Sequence, residues 1–167
     1  ICQTFVYAMA GCMGWTGPWR ELVEAGAKVL VEKCIRPDGG TAHLLDPNGG
    51  VADDRRDLYD IAFVIFALAH ASVALERPAF AAKAVEVLDW VKANWSHPAG
   101  GFREGDVVSV PPRRQNPHMH MLEALLALYE ATNDPRFLEE AKTIARLFET
   151  KFVSKDWKAL LEYFDDA

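Results

Sequence analysis

A histidine and a glutamate lie three residues apart where a strongly apolar segment begins. His120 and Glu123 run into Ala124-Leu125-Leu126-Ala127-Leu128, and on a helix residues three apart share a face. Histidine has a pKa near neutral, so it can remove a proton next to a carbonyl and return it. Because no charged residue stands beside Glu123, we expect a buried carboxylate that needs a partner. We predict that both are catalytic: His120 transfers the proton, and Glu123 orients the imidazole or binds a substrate hydroxyl. The alternative for His120 is a core histidine bonded to the backbone.

Two arginines precede this segment. Arg113 and Arg114 each carry a planar guanidinium group that can hold hydroxyl or anionic oxygens of a substrate. The alternative for each is an ion pair with a nearby acid such as Glu104 or Asp106. We count both arginines as candidate substrate-binding residues.

Asn116 and His118 complete this polar cluster. Asn116 stands before Pro117, which predicts a helix cap, and its amide can also bind substrate. His118 lies about 200° around a helix from His120, so we predict a place at the pocket rim or a structural role. Because the two imidazoles diverge, we expect no metal between them, and the sequence has no His-Glu-x-x-His zinc motif. No cofactor is expected.

A second polar group begins another apolar segment. Asp57, Tyr59 and Asp60 precede the apolar run 61–75. If both apolar segments are inner helices that begin at one end of the fold, their first residues converge. We expect Asp57 to cap its helix, and Tyr59 and Asp60 to contact substrate. His70, inside the apolar run, is predicted to be a core histidine.

Composition excludes several classes of function. The net charge is −6, the pI is near 5.3 and there is no stripe of Lys and Arg, so nucleic acid is not an expected partner. The run 61–75 is too short for a membrane span, and no signal peptide is visible. Three cysteines without metal spacing indicate reduced thiols and a cytoplasmic protein. The chain has no initiator Met and starts within an apolar pattern, which we expect of a fragment.

Three helical hairpins are predicted to position these residues. Pro18, Pro78 and Pro135 recur 60 and 57 residues apart, each where a helix would begin. An apolar helix precedes each proline and an amphipathic helix follows it, and Gly-rich turns at 37–40 and 98–101 lead into short β-like connections. The first helices are predicted at 2–13, 57–75 and 117–132, and the second at 18–35, 78–95 and 135–152. The hairpins, roughly 1–35, 57–95 and 117–152, form one partial domain over 1–167. Such an all-α array closes into a ring or stacks as a solenoid, and spacing leaves both open.

Three segments together resemble a known family. They are Asn116-Pro117-His118-Met119-His120-Met121-Leu122-Glu123-Ala124, the stretch 57–63 and the turn 133–137. The family is that of N-acylglucosamine 2-epimerase, which includes aldose–ketose isomerases acting on mannose. The resemblance implies an (α/α)6 barrel of which this chain is about half the ring, and a monosaccharide substrate. It implies metal-independent proton transfer through an enediol by two histidines, of which one matches His120 and the other lies beyond Ala167. The chain alone is therefore expected to be inactive. Whether the protein forms a homodimer is left open by the sequence.

Two positions depart from the family pattern. Thr4 stands where relatives carry an Arg, and Ile61 stands where they often carry Gln or His, so we expect effects on substrate anchoring and sugar preference. Two other functions stay open. One is a glycoside hydrolase or lyase on the same toroid, which needs paired carboxylates. The other is a non-catalytic helical-repeat scaffold, for which Trp90 and Trp95 would face outward.

Overall fold

Six α-helices follow one another as three helical hairpins in the part of the chain that the computed structural model describes, residues 1–107, 112–154, 156 and 158–165. The helices are α1 (Cys2–Cys12), α2 (Trp19–Val29), α3 (Leu58–Leu75), α4 (Pro78–Trp95), α5 (Gln115–Thr132) and α6 (Pro135–Leu147). Two π-helical turns, Leu30–Cys34 and Phe148–Phe152, extend α2 and α6 to the ends predicted for them. The apolar spacing and the prolines therefore located all six helices.

The helix starts follow from local chemistry. Asp57 caps α3 because its carboxylate accepts a hydrogen bond of 3.0 Å from the backbone N–H of Tyr59. Asp134 caps α6 in the same way, accepting from the N–H of Arg136 at 3.0 Å. Both α4 and α6 begin with proline, whose missing N–H costs nothing in the first turn. The cap predicted for Asp57 is confirmed.

Short strands connect the hairpins. The strands β1 (Leu44–Leu45) and β2 (Val51–Asp53) pair antiparallel in front of α3. The strands β3 (Arg113–Arg114) and β4 (Tyr163–Phe164) pair antiparallel in front of α5. In the described residues of the predicted connection after residue 98, isolated bridges join Ser96 to Phe102 and Gly105 to Asp57. These connections lie where the inner helices begin.

The helices form two layers. The inner helix α3 contacts both other inner helices, α1 and α5, and each outer helix packs against its hairpin partner. The outer helices α2 and α4 also contact the inner helix of the neighbouring hairpin. This alternation of inner and outer helices is that of an (α/α)6 toroid, and three hairpins supply half of the ring. The predicted fold class is confirmed.

The central helix α3 carries the core. Ile61, Ile65 and Leu68 are fully buried between the other helices, and burying one such side chain stabilises the fold by roughly 1.5–3 kcal/mol. By length and composition alone α3 could cross a membrane, but 61% of that stretch is buried within the protein, which accounts for its apolarity. Thr4 is also buried and packs against Gly26 of α2. Thr4 and Ile61 are both buried, so neither side chain is exposed for direct contact with a substrate. Their effects on substrate anchoring and sugar preference stay predictions.

Candidate active site

The imidazole of His120 is held on three sides. Its ring lies edge-on to Tyr59 with ring centroids 5.1 Å apart, and 4.5 Å from the ring centroid of Phe63. Its Nδ1 lies 2.8 Å from a carboxylate oxygen of Glu123. Its Nε2 has no hydrogen-bond partner among the residues that the structure describes. With Nδ1–H donated to the glutamate, a neutral imidazole presents Nε2 as a proton acceptor.

Glu123 differs from its prediction in one respect. It pairs with His120 as the helical spacing indicated, but its side chain is 52% exposed and not buried. The reason is its position on the face of α5 that turns away from the outer helices, so no neighbouring helix of this chain covers it. The carboxylate therefore orients the imidazole on the face of the inner helices that turns away from the outer helices, the inner face.

Aromatic rings continue along this inner face. Tyr59, Phe63, Phe66 and His70 follow one another at helical spacing on α3, and the rings of Phe66 and His70 are 4.4 Å apart. Phe5 of α1 also contacts His70, at 4.7 Å. His70 is only partly buried, in contrast to the prediction of a core histidine, and burial lowers its pKa. The rings of Tyr59, Phe63, Phe66 and His70 form one aromatic surface, the aromatic floor, next to the His120–Glu123 pair.

A small pocket opens on this floor. It has a volume of about 270 Å³ and is lined by Phe5, Phe63 and Phe66, with Glu123 at its edge. Aromatic rings suit the apolar faces of a sugar, and the carboxylate suits its hydroxyl groups. Pockets of this kind, apolar with a few convergent polar groups, are where small ligands bind.

A second imidazole–carboxylate pair lies at the start of α3. The Nδ1 of His43 is hydrogen-bonded to Asp60. One ring nitrogen of His43 and one carboxylate oxygen each of Asp57 and Asp60 lie within 4.8 Å of one another. Burial of the Asp60 carboxyl raises its pKa, and His43 opposes this effect. Sequence reasoning missed His43, because only the β1–β2 hairpin brings it back to a residue 17 positions later. The one signal was a single histidine directly before the hairpin.

These three donor groups could in principle hold a cation. Two contacts argue against it. One carboxylate oxygen of Asp57 already caps α3 and lies 3.8 Å from the guanidinium of Arg114, and Asp60 is bonded directly to His43. The arrangement is an ion-pair network, and the expectation that no metal takes part stays a prediction.

Arg114 joins the starts of α3 and α5. Its Nε donates to Glu104 at 2.5 Å, and its backbone N–H donates to the same carboxylate. Glu104, which is 5% exposed, in turn accepts at its backbone carbonyl from the N–H of Leu58 at 3.0 Å. One guanidinium nitrogen of Arg114 is buried and has no hydrogen-bond partner in the described part of the chain. The ion pair with Glu104, one of two alternatives, is confirmed for Arg114.

The predicted role of Arg113 in binding substrate disagrees with its contacts. The side chain is 7% exposed, its guanidinium donates to the carbonyl of Gly100 at 2.6 Å, and it lies over the ring of Phe164 at 4.6 Å. Consecutive residues on strand β3 point to opposite sides. Arg114 therefore contacts Glu104 and Asp57, whereas Arg113 lies on the other side of the strand, against Gly100 and Phe164.

His118 is a core histidine, so its predicted place at the pocket rim, among the candidate substrate-binding residues, is wrong. It is fully buried, its Nδ1–H donates to the carbonyl of Arg114 at 2.8 Å, and its Nε2 accepts from the N–H of Phe102 at 3.1 Å. Burial lowers its pKa to about 4 and keeps it neutral. The structural alternative is the one that the contacts support.

Asn116 does not cap α5, which is a further correction. The helix begins at Gln115 because strand β3 passes directly into it, and Arg114 occupies the cap position without a side-chain bond. Asn116 lies within the first turn, with a buried side-chain oxygen that has no hydrogen-bond partner among the described residues. Such an oxygen is unusual in a folded protein, and its burial does not support the predicted contact with substrate.

The chain is similar in sequence to proteins of one family. The family model described as N-acylglucosamine 2-epimerase (GlcNAc 2-epimerase) matches residues 2–167. A mannose-6-phosphate isomerase of Rhizobium meliloti is 35% identical over 170 residues, which are 98% of this chain and 43% of that protein. A D-mannose isomerase of Thermobifida fusca is 36% identical over 172 residues, 96% of this chain and 40% of that protein.

The fold has a solved counterpart. The crystal structure of a sugar epimerase from a ruminal bacterium superposes with a TM-score of 0.87 at 21% identity, and covers 98% of this chain and 46% of that one. The chain thus spans less than half the length of the relatives that it matches. It belongs to the N-acylglucosamine 2-epimerase family.

Proposed function

We propose that this chain supplies half of the active site of a sugar 2-epimerase or aldose–ketose isomerase that acts on a mannose-type monosaccharide. The observation that carries the proposal is the His120–Glu123 pair, which presents Nε2 of the imidazole next to an aromatic floor. Two relatives are named as isomerases of mannose or its 6-phosphate, which supports this class of substrate.

The chemistry follows from an imidazole at this place. In an open-chain aldose the C2 proton is acidic because the C1 carbonyl stabilises the resulting negative charge. Nε2 of His120 takes that proton, the C–H electrons form the C1=C2 bond, and the carbonyl oxygen becomes the enediolate oxygen. If a proton moves from the C2 hydroxyl to the C1 oxygen and His120 returns its proton to C1, the C2 oxygen becomes the carbonyl oxygen and the ketose forms. If a second group instead protonates the opposite face of C2, the C1 carbonyl forms again, His120 releases its proton to solvent, and the epimer results. Glu123 stabilises the imidazolium formed in between.

The other residues bind and position the sugar. Tyr59 is 37% exposed beside the His120 ring, so its hydroxyl and its ring can both contact substrate. Arg114 acts through Glu104 and Asp57, and holds the starts of α3 and α5 together so that Tyr59 and His120 meet. No step of this scheme requires a metal.

The two alternative functions find less support. A glycoside hydrolase needs a pair of carboxylates on either side of a sugar, whereas Glu104, Asp57 and Asp60 are each engaged with Arg114 or His43. A scaffold would display its tryptophans. Here the rings of Trp90 and Trp95 pack against each other at 5.1 Å, and Trp95 is buried.

The test is turnover by the full polypeptide. D-Mannose and N-acetylmannosamine are incubated with the protein after dialysis against EDTA, and ketose and epimer products are separated by chromatography. We expect conversion of one of these sugars by the dialysed protein, and a loss of at least 100-fold in kcat for His120→Ala, on the order expected for a general base. Absence of product from a folded full polypeptide, or an undiminished kcat in His120→Ala, would contradict the proposal.

A matched variant separates proton transfer from hydrogen bonding. His120→Gln keeps a polar group near the Nε2 position but cannot carry a proton at neutral pH. We expect it to be as inactive as His120→Ala while both keep the thermal stability of the wild type. Activity in His120→Gln close to that of the wild type would assign His120 to sugar binding and remove its catalytic role.

A further inference from the structure

The pair of His43 and Asp60 is not the only support of this part of the fold. The hairpin that carries His43 is also fixed by a backbone hydrogen bond of 2.9 Å from the N–H of Ala42 to the carbonyl of Cys34, and by an ion pair of 2.9 Å between Arg36 and Asp54. Asp60 lies in the first turn of α3, where the helix N-terminus also stabilises a carboxylate. These contacts leave room for a role of the pair beyond stability.

The pair leaves one ring nitrogen available. Nδ1 of His43 is bonded to Asp60, and Nε2 has no hydrogen-bond partner among the described residues. The side chain of His43 is 25% exposed and that of Asp60 is 19% exposed, so the imidazole reaches solvent while its carboxylate is mostly covered. This is the arrangement of His120 with Glu123, in which a carboxylate holds Nδ1 and Nε2 remains free.

Both pairs lie at the same end of the inner layer. Asp60 follows Tyr59 in the chain, and the Tyr59 ring contacts His120. Asp57, whose carboxylate lies within 4.8 Å of the donor atoms of His43 and Asp60, is 3.8 Å from the guanidinium of Arg114 at the start of α5. A ligand that touches His120 and Tyr59 therefore lies close to the start of α3, where His43 is held.

We propose that His43 is a second sugar-contacting imidazole, whose Nε2 accepts a hydrogen bond from a substrate hydroxyl, and that Asp60 is its positioning residue. The inference rests on the proposed function, because it takes the ligand to be a sugar. The contact is to a hydroxyl that does not react, so it holds the sugar in place and does not move a proton during turnover. Asp60, itself a predicted substrate contact, then acts through His43.

The first experiment measures binding without reaction. The full polypeptide, with ¹⁵N-labelled histidine side chains assigned through single substitutions, is titrated with D-mannitol, a linear hexitol that has no carbonyl group. We expect the Nε2 signal of His43 to shift in a saturable way, and the signals of His97 and of buried His118 to stay in place. Saturable mannitol binding that leaves the His43 signal unmoved would overturn the proposal.

The second experiment separates KM from kcat for the sugar that the wild type converts. Loss of one neutral hydrogen bond predicts that His43→Ala raises KM by roughly five- to tenfold, with kcat within about twofold of the wild type. We expect Asp60→Asn to raise KM less, and His43→Gln to recover part of the loss. The controls are His97→Gln, a histidine in the turn after α4, and Asp134→Asn, a helix cap at the start of α6, and both should leave KM unchanged.

Three outcomes would overturn the proposal. They are an unchanged KM in His43→Ala, a loss confined to kcat, and an equal rise of KM in His97→Gln. If His43→Ala lowers the melting temperature, the mannitol titration of the wild type decides alone. If the wild type converts no sugar, the proposed function fails, while a saturable shift at His43 still supports a polyol site.

Discussion

The buried imidazole of His118 predicts a specific loss of stability in acid. Its pKa in the folded protein is about 4, because burial disfavours the charged ring, whereas a histidine in an unfolded chain has a pKa of about 6.5. Above pH 6.5 neither state binds the proton, so His118 has no effect on the pH dependence there. As the pH falls below that value, the unfolded chain takes up the proton and the folded protein does not, so the unfolded state is favoured.

The size of this effect follows from the two pKa values. Each pH unit between them costs about 1.4 kcal/mol, so the free energy of unfolding falls by roughly 3 kcal/mol from pH 6.5 to pH 4. The hydrogen bond that Nε2 of His118 accepts from the N–H of Phe102 requires the neutral ring, whereas the donation from Nδ1–H to the carbonyl of Arg114 is possible in both protonation states. Burial of the ring is the main cause of the lowered pKa.

The assay is urea unfolding followed by circular dichroism at pH 7.5, 6.5, 5.5 and 4.5. His118→Gln removes the titrating group and keeps side-chain polar atoms, so it is less stable than the wild type at pH 7.5 but loses less stability on acidification. The difference between the two pH profiles isolates His118 from the carboxylates, which titrate in both proteins. Parallel profiles for wild type and variant would refute the reasoning.

Three further predictions concern the contacts around the site. Glu104→Gln leaves the guanidinium of Arg114 without its carboxylate, and should lower the free energy of unfolding by about 2–4 kcal/mol; urea titration measures this, and a loss below about 0.5 kcal/mol would contradict it. Gly101→Ala should lower the melting temperature, because Gly101 has a φ of +69° and a Cβ there would lie 2.7 Å from the ring of His118. An unchanged melting temperature would contradict this prediction. Glu123→Gln removes the charge beside the imidazole of His120, the proposed proton-transfer group. It should lower kcat about tenfold, the lower end expected for a charge-assisted hydrogen bond at an exposed carboxylate; an unchanged kcat in steady-state kinetics would remove the proposed role of Glu123.

The sequence predicted the helices because their signals are local. Proline at the first helical position and a capping Asp, as at Asp57 and Asp134, act within one turn of the chain. The pairing of His120 with Glu123 was also predictable, since three positions along a helix fix it. The start of α5 was misplaced because strand β3 pairs with β4, about 50 residues further along the chain, and leads straight into the helix.

Burial and distant contacts could not be predicted in this way. Glu123 looked buried because its sequence neighbours are apolar, but exposure depends on whether another helix covers that face. The opposite placement of Arg113 and Arg114 depends on the short strand that holds them. His43 meets Asp60 only through the turn between β1 and β2, and no spacing rule connects the two residues.

The central claim is that His120 exchanges the C2 proton of a mannose-type sugar. Its most direct test is to incubate the full polypeptide with D-mannose in deuterium oxide and to measure deuterium at C2 of the recovered sugar by NMR. We predict deuterium at C2 of the aldose with the wild type, and none above background with His120→Gln. Isotope incorporation at the same rate in both proteins, or none with a wild type that still converts the sugar into its epimer, would contradict the account.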